Sequence, residues 1–231
     1  ADNAAKEYFS GITAAQKISE LADHYDQLSA EFVNEAEMYQ EVIFSRNRLT
    51  MSISGEENLP ECRRIIDSLN DIPFQRCVVH YPLLTDPREG IEIPAQIGYS
   101  ASVIRLPEYS GHARVLAHMM TYGYLWTEIR VKGGAYGTGF LVSPSGITGC
   151  WSYRDPTPGK SLSVYQNVPA AIREMAASSD DLTDYIIGTI ASAEPLMTPG
   201  QKQRTGDSLW FRGQTYESRQ VRRQEILSTV P

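Results

Sequence analysis

Hydrophobic residues near the start of the chain recur at steps of three and four: Ile18, Leu21, Tyr25, Leu28, Phe32 and Val33, with acidic residues between them and few breakers over residues 13–44. That spacing draws one apolar stripe along a helix, so an amphipathic helix, single or split in two, is predicted there. The period then drops to two. Leu49, Met51 and Ile53 alternate with polar residues up to Gly55, the pattern of a half-buried strand. Cys62, Ile65, Ile66 and Leu69 return to helical spacing over residues 60–69, and Asp71, Pro73 and Pro82 end the run.

Residues 74–94 carry Pro82, Pro87, Gly90 and Pro94 without a sustained period, as a connection between domains does. Beyond it Ile97, Tyr99, Ala101 and Val103 alternate as a strand, and Ser110 stands where it would cap a helix over residues 111–130. The apolar stripe of that helix is predicted to be Val115, Met119, Tyr122, Trp126 and Ile129. GTGFLVS and GITGCWSY then read as two strands joined through Pro144, Ser145 and Gly146 in a hairpin. The remainder reads as helix: 160–175 with a kink at Pro169, 180–194 behind a cap at Ser178 or Ser179, and 201–227. This order predicts an α+β fold in which helices pack on one face of an antiparallel sheet. The predicted domains are residues 1–90 and 91–231, and no internal sequence repeat relates them.

Composition narrows the function. A chain of 231 residues with 42% hydrophobic residues is long enough to bury a core. A formal charge of -7 argues against a general nucleic-acid or anionic-membrane surface, and the basic run RQVRRQ at 219–224 would spread around a helix as a solvated face. Cys62, Cys77 and Cys150 are odd in number and form no CxxC pair, which suggests neither a disulfide framework nor a cysteine zinc site and fits a reducing compartment. No run approaches the ~18 apolar residues that span a bilayer. The opening ADNAAKEYFSG lacks the charged and apolar regions of a secretory signal, so the expectation is an intracellular chain or a fragment of a longer one.

The histidines are His24, His80, His112 and His118, and neither HxxEH nor HExxH occurs. His112 and His118 lie six residues apart on one predicted helix, about 240° around its axis, and do not chelate one ion together. No metal site is expected in the chain. The segment around Ser143 to Gly146 lacks the first glycine of a GxSxG elbow. KGGAYGTG resembles a phosphate loop only in its glycines, because it follows a helix and precedes a strand, the reverse of the order that aims a helix N-terminus at an anion. What is unusual is that Glu128, Arg130, Lys132, Gly133, Gly134 and Tyr136 fall within nine residues directly after an amphipathic helix. On local chemistry they describe a well-capped helix end, with Gly133 and Gly134 in left-handed conformation, the cations complementing the dipole and Tyr136 packed. Phe140, Trp151 and Tyr153 line either a substrate pocket or the core, the core being the default.

IRVKGGAYGTGF, placed after such a helix, resembles the doubled-glycine motif in the C-terminal half of the insulinase or pitrilysin superfamily, in the form carried by its presequence-protease branch. GITAAQKISELADHY followed by NRLTMSISG is similar to the end of the third homologous domain of that branch. The resemblance implies a metalloprotease half-domain of the insulinase or mitochondrial processing peptidase type. In that family two halves close around an unfolded peptide, the N-terminal half holds zinc through HxxEH and a distal glutamate, and the C-terminal half supplies an arginine and a tyrosine. Here those would be Arg130 and Tyr136, donating to the oxyanion and neighbouring carbonyls near the scissile bond, with Gly133 and Gly134 allowing the turn that aims both at substrate.

It follows from the resemblance that the zinc cofactor and the N-terminal half of the same polypeptide lie outside this chain, and that the chain alone is expected to be inactive. Family members continue past a helix like 214–227, so domain 91–231 reads as truncated at its C-terminal end. On that basis the strand at 49–53 is expected to take the place of a missing last strand beside residues 97–103. The second reading is a noncatalytic, chamber-forming or peptide-binding subunit of the same superfamily. The expected partner is an unfolded peptide, with neither nucleic acid nor membrane, in the cytoplasm or, in a eukaryote, the mitochondrial or plastid matrix.

Overall fold

The chain opens with three helices, α1 (Asp2–Ser10), α2 (Ile12–Asp23) and α3 (Tyr25–Ile43), with breaks at Gly11 and His24, and the first apolar stripe is carried by α2 and α3. The computed structural model describes residues 2–73, 90–106, 108–178 and 181–230. It divides into two units, Ala1–Glu89 and Gly90–Pro231. In the first, no residue of α2 or α3 is buried. Ile18 is 67% exposed and Phe32 52%, with Leu21 and Leu28 half-buried, so the predicted stripe forms but finds little cover among the described residues of its own unit. Order there comes from polar contacts instead. Ser45, fully buried, donates its hydroxyl to Asn47 Oδ1 at 2.7 Å and accepts from the Ile72 amide at 3.0 Å. The Arg46 guanidinium donates to the carbonyl of Asp67 at 3.1 Å, at the end of α4 (Leu59–Asp67), which starts with Pro60 in its first turn.

Residues 49–53 do not form the expected strand. Leu49 has extended dihedrals, φ −80° and ψ 130°, but the segment joins no β-ladder and the described part of the first unit contains no strand. Alternating hydrophobicity marks residues that would suit a sheet, whereas a strand exists only where a neighbour takes its backbone hydrogen bonds. The idea that this segment completes the sheet beside residues 97–103 is overturned with it. Most of the predicted connection, together with Cys77 and His80, lies outside the described residues.

The second unit is built on a sheet of β1 (Gly98–Arg105), β2 (Gly137–Val142) and β3 (Ile147–Asp155), antiparallel throughout, in the order β1-β3-β2. The hairpin forms as predicted: Gly146 adopts φ +83° and its amide donates to Ser143 at 2.9 Å, while Ser143 donates to Ile147 at 2.9 Å. Register Phe140↔Cys150 and Gly139↔Trp151 sorts the side chains onto two faces. Phe140, Cys150, Thr138 and Ser152 turn toward the helices. Gly139, Trp151, Ala101 and Tyr99 lie on the other face, which stays open.

The helices α5 (Gly111–Met119), α6 (Pro158–Gln166), α7 (Val168–Ala177), α8 (Thr183–Ala193), α9 (Pro199–Phe211) and α10 (Tyr216–Leu227) complete the α+β fold. Ser110 caps α5 as expected, accepting from the Ala113 amide at 3.2 Å. Pro169 does not kink a helix; it opens a new one, sitting in the first turn of α7 after α6 has ended. Of the two predicted caps of α8, Ser179 lies outside the described residues and Ser178 is not the cap; the first turn is held by the Asp181 carboxylate, accepting from the amide and hydroxyl of Thr183 at 2.9 and 2.6 Å. The predicted helix 201–227 is two, broken around Gly213 at φ +62°. The core consists of Met120, Leu125, Ile129, Ala135, Cys150, Tyr165, Val168 and Ala171, with Phe140 packed against it.

Candidate functional site

The helix that begins as α5 continues over Met120–Val131 as a π-helix, with i→i+5 bonds such as Lys132 N to Thr127 O at 3.0 Å. A wide turn of this length is rare, and such segments concentrate at functional sites. It changes which residues face inward. The buried positions Met120, Leu125 and Ile129 advance by five and four residues, whereas the α-helical stripe predicted Tyr122 and Trp126. Both lie outside the core, Tyr122 exposed and Trp126 half-buried. Trp126 is left at the helix surface, and the guanidinium of Arg130, four residues on, lies over its indole, 4.2 Å from the ring centroid.

The helix ends as the glycines foretold, with a division of labour between them. Gly134 takes φ +80°, the left-handed conformation that glycine adopts freely. Gly133 is required by closeness instead: a Cβ there would stand 2.5 Å from the Ile129 carbonyl oxygen. Ala135 N donates to Ile129 O at 3.2 Å and Gly134 N to Arg130 O at 3.0 Å, a Schellman-like closure in which each bond spans one residue more, as a wide helix demands. Arg130 then donates to the carbonyl of Tyr136 beyond the turn, and its guanidinium lies 5.7 Å from the Tyr136 ring. The structure therefore brings Arg130 and Tyr136 together, on a support anchored by buried Ile129 and Ala135. Tyr136 itself is 63% exposed, and its hydroxyl has no hydrogen-bond partner among the described residues. Lys132 is occupied elsewhere, in an ion pair with Glu128 at 2.6 Å.

Thr121 ties this helix to the sheet, accepting from the Phe140 amide at 2.9 Å while donating to Ala117 O at 2.8 Å. Of the aromatic residues with two readings, Phe140 packs on the core. Trp151 and Tyr153 do not. Trp151 is 41% exposed and lies over Gly139, where a Cβ would come within 2.8 Å of the indole. Tyr153 meets Tyr99 edge-on at 5.3 Å and Tyr136 at 5.8 Å, so a row of tyrosines crosses the open face.

One residue of this site was invisible to sequence reasoning. Gly98 pairs with Asp155 and Ser100 with Ser152, which leaves Tyr99 opposite both Tyr153 and Arg154. This is a β-bulge, and Arg154 is its extra residue, at φ +47° the non-glycine residue with positive φ among those described. Strict alternation would send Arg154 toward the helices and Asp155 to the open face. The bulge reverses both. Asp155 becomes fully buried, accepting from Ser152 Oγ at 2.7 Å, Ser161 Oγ at 2.5 Å and the Thr157 amide at 2.8 Å. Ser152 continues through Ser100 Oγ at 2.8 Å to the Tyr165 hydroxyl at 3.1 Å. Arg154 stays exposed, 5.4 Å from the Tyr153 ring and 5.8 Å from that of Tyr136, whose amide donates to the Arg154 carbonyl at 3.3 Å. Left-handed backbone at a non-glycine residue costs about 1–2 kcal/mol, and the Asp155 network over-determines it.

Among the described residues no three His, Cys, Asp or Glu side chains converge as metal ligands. His112 Nδ1 contacts Thr229 Oγ1 at 3.0 Å, and His118 stacks on Tyr122 at 4.6 Å, where burial lowers its pKa. No described helix is long and apolar enough to cross a membrane.

Residues 90–231 match the sequence model of a family described as the PreP C-terminal domain. The chain is 29% identical to Protein HypA of Clostridium perfringens over 92% of this chain and 23% of that protein. It is 33% identical to presequence protease 1, chloroplastic/mitochondrial, of Arabidopsis thaliana over 72% of this chain and 16% of the relative. To the mitochondrial presequence protease of Yarrowia lipolytica it is 28% identical over 95% of this chain and 23% of the relative. The chain thus spans less than a quarter of the length of these relatives. The matched residues contain the whole sheet, the π-helix and the Arg130–Tyr136 pair, and by them the chain belongs to the PreP C-terminal domain family.

Proposed function

We propose that this chain is the substrate-binding part of a presequence-protease-like zinc metalloendopeptidase that degrades unfolded peptides. The observation that carries the reading is Tyr136, an exposed phenol with a free hydroxyl, held beside the Arg130 guanidinium on a rigid glycine turn. A hydroxyl and a guanidinium fixed in advance can donate to a peptide carbonyl as negative charge develops on its oxygen, with no reorganisation at the moment of reaction. Trp126 and the Tyr136 carbonyl hold Arg130 so that its remaining N–H groups are free for substrate. Gly133 and Gly134 contribute by shape, keeping the backbone tight between the two donors.

In this reading the metal is held by another part of the same polypeptide, and the 231-residue chain alone is expected to have no peptidase activity; among the described residues no three His, Cys, Asp or Glu side chains converge. The names of the eukaryotic relatives place those proteins in mitochondria or chloroplasts. An organelle matrix is the proposed location if the parent is eukaryotic, and the cytoplasm otherwise. In the full-length parent, Tyr136→Phe and Arg130→Ala are each expected to lower kcat/KM by at least roughly tenfold, the effect of losing one oxyanion-type donor. Unchanged kinetics in variants with native circular dichroism would sink the assignment.

A further inference from the structure

The structure assigns Arg154 a role of its own: we propose that it and Arg130, on the Tyr136–Tyr153 surface, form a subsite for an acidic side chain within a bound peptide. This rests on the reading that the open sheet face meets peptide. Neither guanidinium has a carboxylate within ion-pairing distance among the described residues, although acidic residues outnumber basic ones in the chain, 28 to 21. Both are held within 6 Å of one tyrosine ring, at 5.7 and 5.8 Å. Arg154 reaches that ring only because the bulge places it on the face that regular pleating denies it, and bulges beside functional sites re-aim side chains in this way. A buried carboxylate with three donors pins the bulge from beneath.

Two unpaired guanidiniums over aromatic rings select a carboxylate, which accepts charge-assisted and bidentate hydrogen bonds from them. The source is an Asp or Glu side chain inside the peptide rather than a chain terminus. Tyr136, Trp151 and Tyr99 are all exposed on a sheet face where a peptide continues past the two arginines in both directions. A terminus-binding site needs a wall at its end.

The test is binding of labelled peptides to the full-length parent treated with a metal chelator, so that turnover does not intrude. The probes are a nonapeptide of Ser, Ala and Gln blocked at both ends, a series with Glu walked through its central positions, and the Gln peptide with a free C-terminal carboxylate. One Glu position is expected to bind roughly tenfold tighter than Gln at low salt, the scale of a charge-assisted contact. The Glu-to-Gln ratio should fall to near one in Arg154→Gln. It should do so equally in Arg154→Gly, which suits the left-handed backbone and separates loss of the guanidinium from loss of the fold. No Glu preference at any position, a preference that survives both variants, or a gain confined to the free C-terminus overturns the proposal. So does absence of binding by every peptide. Should Tyr136→Phe leave kcat/KM unchanged while the Arg154-dependent preference persists, the catalytic reading of Tyr136 fails and the carboxylate subsite stands.

Discussion

Apolar stripes run along helices in both units and meet opposite fates. In α2 and α3, Ile18, Tyr25, Phe32 and Val33 line up as predicted and remain exposed. In the second unit Val115, Leu125 and Ile129, on a helix that passes from α into π, are 0–1% exposed. The second helix lies on a sheet, and among the described residues of the first unit there is neither a strand nor a buried hydrophobic side chain to receive the first stripe. Periodicity therefore reports that a helix forms and which residues share a face, while burial is the property of a partner.

Three measurements bear on that contrast. The largest effect is chemical. Burial pushes the Cys150 thiol up to about 12, whereas Cys62, in α4, is only partly covered. At pH 8 roughly one Cys150 thiol in 10,000 would be ionised at that value, and its alkylation in the native chain is expected to lag Cys62 at least a hundredfold. Peptide mass spectrometry after timed iodoacetamide exposure checks this, and comparable rates would break the contrast. Next is packing. Leu125→Ala should destabilise the second unit by about 3 kcal/mol through lost burial and the cavity left behind, and Phe32→Ala should change stability by less than about 0.5 kcal/mol. Trp126, Trp151 and Trp210 all lie in the second unit, so tryptophan fluorescence during urea unfolding reads Leu125→Ala, and far-UV circular dichroism, to which the helices of the first unit contribute, reads Phe32→Ala. A Phe32→Ala midpoint that falls as far as that of Leu125→Ala would mean α3 is buried in solution. The smallest concerns the buried carboxylate beneath the bulge of the second unit. Asp155→Ala strands the donors of Ser152, Ser161 and Thr157 and is expected to cost about 2 kcal/mol. Loss of the Glu preference in this variant under conditions where it remains folded would tie the buried network to the aim of Arg154.

Much of the second unit was legible in the chain. Gly146 and its neighbours announced the hairpin, Ser110 the start of α5, and the doubled glycine the end of the long helix, because each acts through its own backbone or one nearby amide. What escaped has a common physical character. Tyr122 and Trp126 were placed in the core by a 100° step that the π-helix does not keep. Residues 49–53 have the alternation of a strand and no strand beside them among the described residues. Trp151 and Tyr153 alternate correctly, but the pattern does not say which face the helices cover.

The sequence by itself determined that the chain mixes helices with an antiparallel hairpin, that it carries no recognisable metal motif, and that Arg130 and Tyr136 flank a glycine turn. Those are local properties, set by dihedral preference, spacing and a handful of side chains within one turn. The tertiary structure alone decided that Arg130 stacks on Trp126, that the tyrosines form one row, and that Arg154 joins them while Asp155 goes inside. The last depends on one extra residue in β3, and a one-residue slip in a pleated strand exchanges its two faces. No local signal in YRD distinguishes the bulged register from the regular one; the buried hydroxyls of Ser152 and Ser161, brought from a strand and a helix, select it by giving Asp155 its donors.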